Sequence, residues 1–243
     1  MDAIRIERLT KCYRDTVAVD GLTLSVRKGE LLSLLGVNGA GKTTTIKMLS
    51  CLTRPTDGDA FLNGNSILRD TAAVKSIIAV SPQETAVAAG LTVRENLELI
   101  AGIYGMSKAA RQSKIAALTA RLGLETVITK KAGKLSGGWQ RRLSIAMALL
   151  SEPEILFLDE PTLGLDVLAR SELWDIIRAL KGTVTVVLTT HYMEEAEALS
   201  DRVAIMKEGR LVICDTVEGI KKAAQTDKFE QAFIRFVRGE VAV

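Results

Sequence analysis

The chain has 243 residues, enough to bury a full core as one large α/β domain or a domain with an inserted subdomain. Its net charge of +3 is mild, and Lys130-Lys131, Arg141-Arg142 and Lys221-Lys222 are short pairs that read as solvated surface, which argues against a nucleic-acid partner. Cys12, Cys51 and Cys214 lie far apart without C-x-x-C spacing, giving no support to a zinc site or disulfides, and no apolar run reaches the roughly eighteen residues needed to span a membrane.

From the N-terminus, Ile4-Arg5-Ile6-Glu7-Arg8-Leu9 alternates charged and apolar residues, a strand pattern and not a signal peptide. Reduced cytosol is therefore the expected compartment. Further strands are expected near Leu22–Val26 and Glu30–Leu35, and at Asp59–Leu62 after a Pro55-Thr56-Asp57-Gly58 turn.

The apolar Glu30–Leu35 run leads into Gly36-Val37-Asn38-Gly39-Ala40-Gly41-Lys42-Thr43, and Thr44-Thr45-Ile46-Lys47-Met48-Leu49 then reads as a helix start. This is the phosphate-binding P-loop pattern in its strand–loop–helix context. Backbone N–H groups from Asn38 to Thr44 would converge on a polyphosphate at the positive end of the helix dipole. Lys42 would reach the β- and γ-phosphates, and the Thr43 hydroxyl would hold Mg²⁺. With Gly at an ordinary ~7 %, the pattern arises by accident roughly once in a hundred chains of this length. The chain is expected to bind a nucleoside triphosphate.

Between about Thr92 and Leu150 the period becomes helical, with Val93, Leu97, Ile100, Ala101 and Tyr104 recurring at helical spacing, then Ile115, Leu118 and Leu122. Short apolar runs of parallel-sheet character return at Ile155–Leu158, Val184–Leu188 and Val203–Met206. A helix carrying Leu173, Ile176, Ile177 and Leu180 separates the first two. The first run ends in Asp159-Glu160. Alone, that is equally a solvent-exposed strand end. Beside a P-loop, Asp159 reads as the metal-side acid and Glu160 as the general base for an attacking water.

Leu135-Ser136-Gly137-Gly138 opens a strongly apolar helix; from local physics it is an ordinary N-cap. Set between the P-loop and the Asp-Glu strand, this signature resembles the nucleotide-binding domain of ABC transporters, and the resemblance covers essentially the whole chain. It implies an ATPase that uses ATP and Mg²⁺. It implies that Tyr13 stacks on adenine, a contact worth about 1–3 kcal/mol by analogy with base–aromatic stacking. It further implies that Gln83 touches Mg²⁺ and the lytic water, and that Asp166, in Leu163-Gly164-Leu165-Asp166, lies in a loop crossing a dimer. His191 would contact the γ-phosphate; without the other motifs, the single histidine of the chain would read as a capped or core residue. Trp139 departs from the usual Gln of the signature, and Val37 from the usual Pro of the loop, neither at a position expected to carry chemistry.

The fold implied is α/β: a P-loop NTPase core with a parallel sheet, an N-terminal antiparallel β lobe and an inserted all-helical signature subdomain at about 92–150. All of it forms a single domain, 1–243. In the family, Ser136, Gly137 and Gly138 of one copy complete the ATP site of a second copy, head to tail. The short span from Gln83 to Ser136 leaves no room for the long coiled coil of chromosome-maintenance relatives, and one P-loop with one signature argues against tandem translation factors. Leu91–Leu97, Thr190–Glu197 and the ending Phe229–Ile234 look most like bacterial drug- and sodium-exporter ATPases. The expected partners are a second copy and an integral membrane permease, which would hold the chain at the inner face of the cell membrane. The alternative is a soluble assembly ATPase of the iron–sulfur scaffold type. Cargo leaves no trace in the sequence.

Overall fold

Alternation of buried and exposed positions builds the N-terminal sheet. In the computed structural model, which describes residues 1–241, β1 (Asp2–Tyr13) and β2 (Thr16–Arg27) pair antiparallel, with Ile4, Ile6 and Leu9 inward and Arg5, Glu7 and Arg8 outward. β3 (Leu31–Leu35) is buried along its whole length and precedes α1 (Lys42–Leu49). β4 (Asp57–Leu62) and β5 (Asn65–Ser66) return to the first sheet, whose order is β2-β1-β4-β5.

A second sheet takes β3 as an interior strand. Along the chain follow α2 (Thr71–Ile77), β6 (Ile78–Ser81), and then α3 (Val93–Ile103), α4 (Lys108–Arg121) and α5 (Gly137–Leu149). A capping box starts α3, with Thr92 and Glu95 each satisfying the other's backbone N–H. Next come β7 (Ile155–Asp159), α6 (Val167–Arg178), β8 (Thr185–Thr190), α7 (Met193–Leu199) and β9 (Arg202–Lys207). The described chain closes with β10 (Arg210–Asp215), α8 (Val217–Ala223) and α9 (Phe229–Arg238). The sheet order is β10-β9-β3-β8-β7-β6, parallel except for β10.

Both faces of this sheet are covered, which is why its strands read as continuous apolar runs. Leu32, Leu34, Ile155, Phe157 and Val187 belong to a core shared with α1 and the first sheet. Leu31, Leu156, Leu158, Val186 and Leu188 belong to the opposite core, with Val93, Leu97 and Leu143 of the helical segment.

Several elements differ from the sequence reading, which places no strand at β5 or β6. β2 begins at Thr16, because its first residues lie at the surface and carry no buried period. β10 turns back antiparallel through Glu208 (φ 48°) and Gly209 (φ 80°), a left-handed pair suited to a tight hairpin. Its middle residues are all half-buried, so no apolar alternation announces it.

One ion pair ties β9 to the start of β3. Glu30, just before β3, accepts from Arg202 Nε at 2.6 Å and from Arg202 Nη2 at 3.2 Å, while Nη2 also donates to the Ser25 carbonyl at 2.7 Å. These bonds to Glu30 raise the Arg202 pKa. Glu30 is buried, so removing its cation strands a charge. Arg202→Met is expected to destabilise the fold by about 3 kcal/mol, read as a lower urea midpoint at unchanged m-value.

Candidate functional site

The end of β3 and the start of α1 are joined by a loop whose close backbone packing requires glycine at two positions. At Gly41 φ is +97°, and a Cβ there would lie 2.5 Å from the Ala18 carbonyl oxygen. At Gly36 a Cβ would lie 2.5 Å from the Met206 carbonyl oxygen. The backbone therefore packs against β2 and β9 and leaves its other side open. That open side is a cavity of about 490 Å³. Asn38, Gly39, Ala40, Gly41, Lys42, Thr43 and Thr44 line it, and so do Tyr13, Gln83, Glu160 and His191. A volume in this range suits one nucleotide.

Lys42 is 5 % exposed. Its ammonium folds back on the loop, donating to the carbonyls of Gly36 at 2.6 Å and Val37 at 3.2 Å. It also lies 3.5 Å from Glu160 Oε1. The neighbouring Thr43 hydroxyl donates to Asp159 Oδ1 at 3.0 Å, and the Thr189 hydroxyl donates to the same oxygen at 2.6 Å. Asp159 thus sits behind the cavity wall with neutral hydroxyl donors. A hydroxyl and a carboxylate in contact form an all-oxygen pair of the kind Mg²⁺ takes, so the residues fit that ion.

Glu160 follows directly and is buried. Its φ is +49°, a left-handed value unusual for a side chain of this size. Two bonds from its N–H hold the turn, to the Thr189 carbonyl at 3.1 Å and the Thr189 hydroxyl at 3.0 Å. The strain aims the carboxylate into the cavity, where Oε2 meets His191 Nδ1 at 2.7 Å. A carboxylate only accepts, so Nδ1 carries the proton. Nε2 is then an acceptor in the neutral ring and a donor once the ring is protonated.

The remaining predicted residues lie elsewhere. Ser136, Gly137, Gly138 and Asp166 do not line this cavity. Ser136 is exposed at the start of α5, and its hydroxyl makes no capping bond. Asp166 is exposed and caps α6, accepting from the Ala169 N–H at 2.9 Å. Beside it Val167 and Leu168 are each 77 % exposed.

The basic pair at Arg141-Arg142 corrects the sequence reading. Arg142 is half-buried, pairs with Glu172 and lies 4.7 Å over the Trp139 ring. Arg141 is buried, and its guanidinium donates to the carbonyls of Pro82 and Gln83, both at 2.6 Å. Burial lowers its pKa, offset in part by Asp159 and Glu195. A solvated charge is thus the wrong description of this residue. Sequence reasoning also missed Glu195, fully buried in the first turn of α7. Its Oε1 accepts from Trp174 Nε1 at 3.1 Å. Burial pushes its carboxyl pKa up; nearby Thr190, Thr162 and Trp174 offset this in part, and Glu160 adds to it.

Known proteins share this architecture. The ABC transporter family model matches residues 19–163. The daunorubicin resistance ATP-binding protein DrrA3 of Streptomyces coeruleorubidus is 39% identical over 229 residues, which are 94% of this chain and 72% of that protein. A solved structure described as the ATP binding subunit of an ABC transporter superposes with a TM-score of 0.85 at 28% identity, covering 96% of this chain and 99% of that one. A dimeric ATP-binding cassette in a post-hydrolysis state with ADP and Pi superposes with a TM-score of 0.78 at 27% identity, covering 88% of this chain and 98% of that one.

The raised Glu195 pKa has a measurable consequence. The folded chain keeps this proton at a pH where the unfolded chain has released it. The associated stability is full below the unfolded carboxyl pKa and is lost as pH rises through the folded one. Glu195→Gln keeps the acceptor for Trp174 and has no proton to lose. In urea titrations it should be more stable than the parent at about pH 8, with the difference shrinking toward about pH 4. Equal stability at every pH would refute the buried-acid assignment.

Proposed function

The chain belongs to the ABC transporter family as an ATP-binding and hydrolysing subunit, and we propose that it powers export through a separate membrane permease. The observation that carries the catalytic reading is the Glu160 carboxylate, held between Lys42 at 3.5 Å and His191 at 2.7 Å at the wall of the P-loop cavity. Such a group is a general base with its orienting partner already in place.

In this reading the polyphosphate lies along the backbone from Asn38 to Thr44, and the adenine rests on Tyr13 at the cavity rim. Lys42 exchanges the Gly36 and Val37 carbonyls for phosphate oxygens. Drawn toward the γ-phosphate, it leaves Glu160 free to accept a proton from the attacking water. His191 keeps the base oriented through Nδ1–H, and its Nε2 faces the phosphate as a donor when the ring is protonated. Thr43, Asp159 and Gln83 would hold Mg²⁺, which would supply positive charge against the polyphosphate.

A second copy completes the site. Ser136 and Asp166 are exposed and lie off the chain's own cavity, and the apolar Val167 and Leu168 beside Asp166 lack cover. A head-to-tail pair would bring Ser136, Gly137 and Gly138 of each copy to the γ-phosphate of the other. The dimeric cassette among the similar structures supports this arrangement. Export is supported by the relative named for daunorubicin resistance. Among the described residues no helix is long and apolar enough to cross a membrane. The reading assigns the pore to a permease partner and places this chain against the inner face of the cell membrane.

Glu160→Gln should cut phosphate release by about 10²–10⁴ and leave an ATP-bound dimer visible in light scattering. A monomeric and fully active variant would refute the assignment. Purification of the tagged chain in mild detergent should bring down a polytopic membrane protein in near-equal amount. Soluble partners alone, with the chain missing from membranes, would favour an assembly ATPase.

A further inference from the structure

Arg141 is a buried cation whose placement is electrostatically unfavourable. It forms no ion pair among the described residues, and its guanidinium partners are two neutral carbonyls. Asp159 and Glu195 offset that burial only in part and neither pairs with the guanidinium directly, so the charge is not placed there for an ion pair. What the guanidinium does provide is geometry. Its planar fork grips Pro82 and Gln83 at consecutive carbonyls, a two-point contact that fixes direction as well as distance.

The grip is reinforced one turn along the same helix. Ser144 Oγ and Ser81 Oγ lie 2.9 Å apart, buried, so α5 is joined to the end of β6 at Ser81 and to the next two residues through Arg141. Gln83 lines the nucleotide cavity of its own chain. Ser136, at the N-terminus of α5, is exposed and takes no part in that cavity's lining. An α-helix is stiff over the five steps from Ser136 to Arg141, about 7.5 Å at 1.5 Å per residue. The Gln83 backbone and the Ser136 end of α5 are therefore linked by the Arg141 fork and one stiff stretch of helix.

We propose that Arg141 is a positioning residue that ties the Gln83 loop, which meets one nucleotide, to the helix end offered to the other nucleotide of the dimer. It touches neither nucleotide. Its role is to make occupation of one site set the geometry of the second, so that the two sites close together. This rests on the head-to-tail reading above for its second site, but the tie itself is a property of the single chain.

The test uses Arg141→Met, which keeps bulk and removes the fork, and Arg141→Lys, which keeps charge but cannot span both carbonyls. Without nucleotide, amide exchange at Gln83 and the residues just after it should speed up in both variants relative to the parent. ATP binding to the single chain should stay within about 3-fold, while the ATP needed for dimerisation in a Glu160→Gln background rises by ~10-fold or more. In the otherwise unaltered chain the Hill coefficient for hydrolysis should fall toward about 1. Should Arg141→Met fail to fold, Arg141→Lys carries the same comparisons. Parental exchange in both variants overturns the tie. Faster exchange with unchanged dimerisation and Hill coefficient overturns the coupling. If Glu160→Gln with Arg141 intact never dimerises, the head-to-tail reading fails, and the exchange arm still decides the tie.

Discussion

Two carboxylates stand buried, side by side, where β7 ends, and everything around them is arranged so that both can stay there. An acid at the inner end of an apolar strand is unfavourable unless donors surround it. Asp159 takes hydroxyls from Thr43 and Thr189, on α1 and β8. Glu160 takes an ammonium from α1 and an imidazole from the end of β8. The parallel register that sets Asp159 opposite Thr189 is what brings these donors to the same level. Phosphate-binding loop, acid pair and histidine are thus one electrostatic unit. A polyanion placed in the cavity would change the balance of all of them together.

The parts of this unit are readable in the sequence for a physical reason. A phosphate cradle is made of backbone, so its requirement for small residues at fixed spacing is written locally, from Gly36 to Thr43. An apolar run that ends in acids is equally local. The exposed signature and the Asp166 loop can be placed on the chain, but their separation from the cavity of the same chain emerges only once it is folded. The two sheets and the helical segment are legible because the first sheet alternates and the second, covered on both faces, carries unbroken apolar strands. β10 is not, because all its middle residues are half-buried.

What stays hidden depends on contacts between distant parts. Arg141 and Arg142 are identical letters side by side, yet one is half-buried and paired with Glu172 while the other is enclosed and holds two carbonyls. Nothing within the pair tells them apart; the phase of α5 does. Glu195 sits among acids and alanines, and only the fold brings the Trp174 indole from α6 and the Thr162 and Thr190 hydroxyls against its carboxyl. Thr189, one of several threonines at the end of an apolar strand, becomes important through what β7 places beside it.

Under the proposed role of Glu160 as the base, its left-handed backbone sets the chain's durability against its turnover at a single position. Glycine or asparagine would occupy that conformation with less strain, so a variant selected only for heat tolerance has a reason to abandon glutamate there. Under that proposed role, a homologue that has relaxed this residue would be a sturdier protein and a poorer motor, holding nucleotide without consuming it.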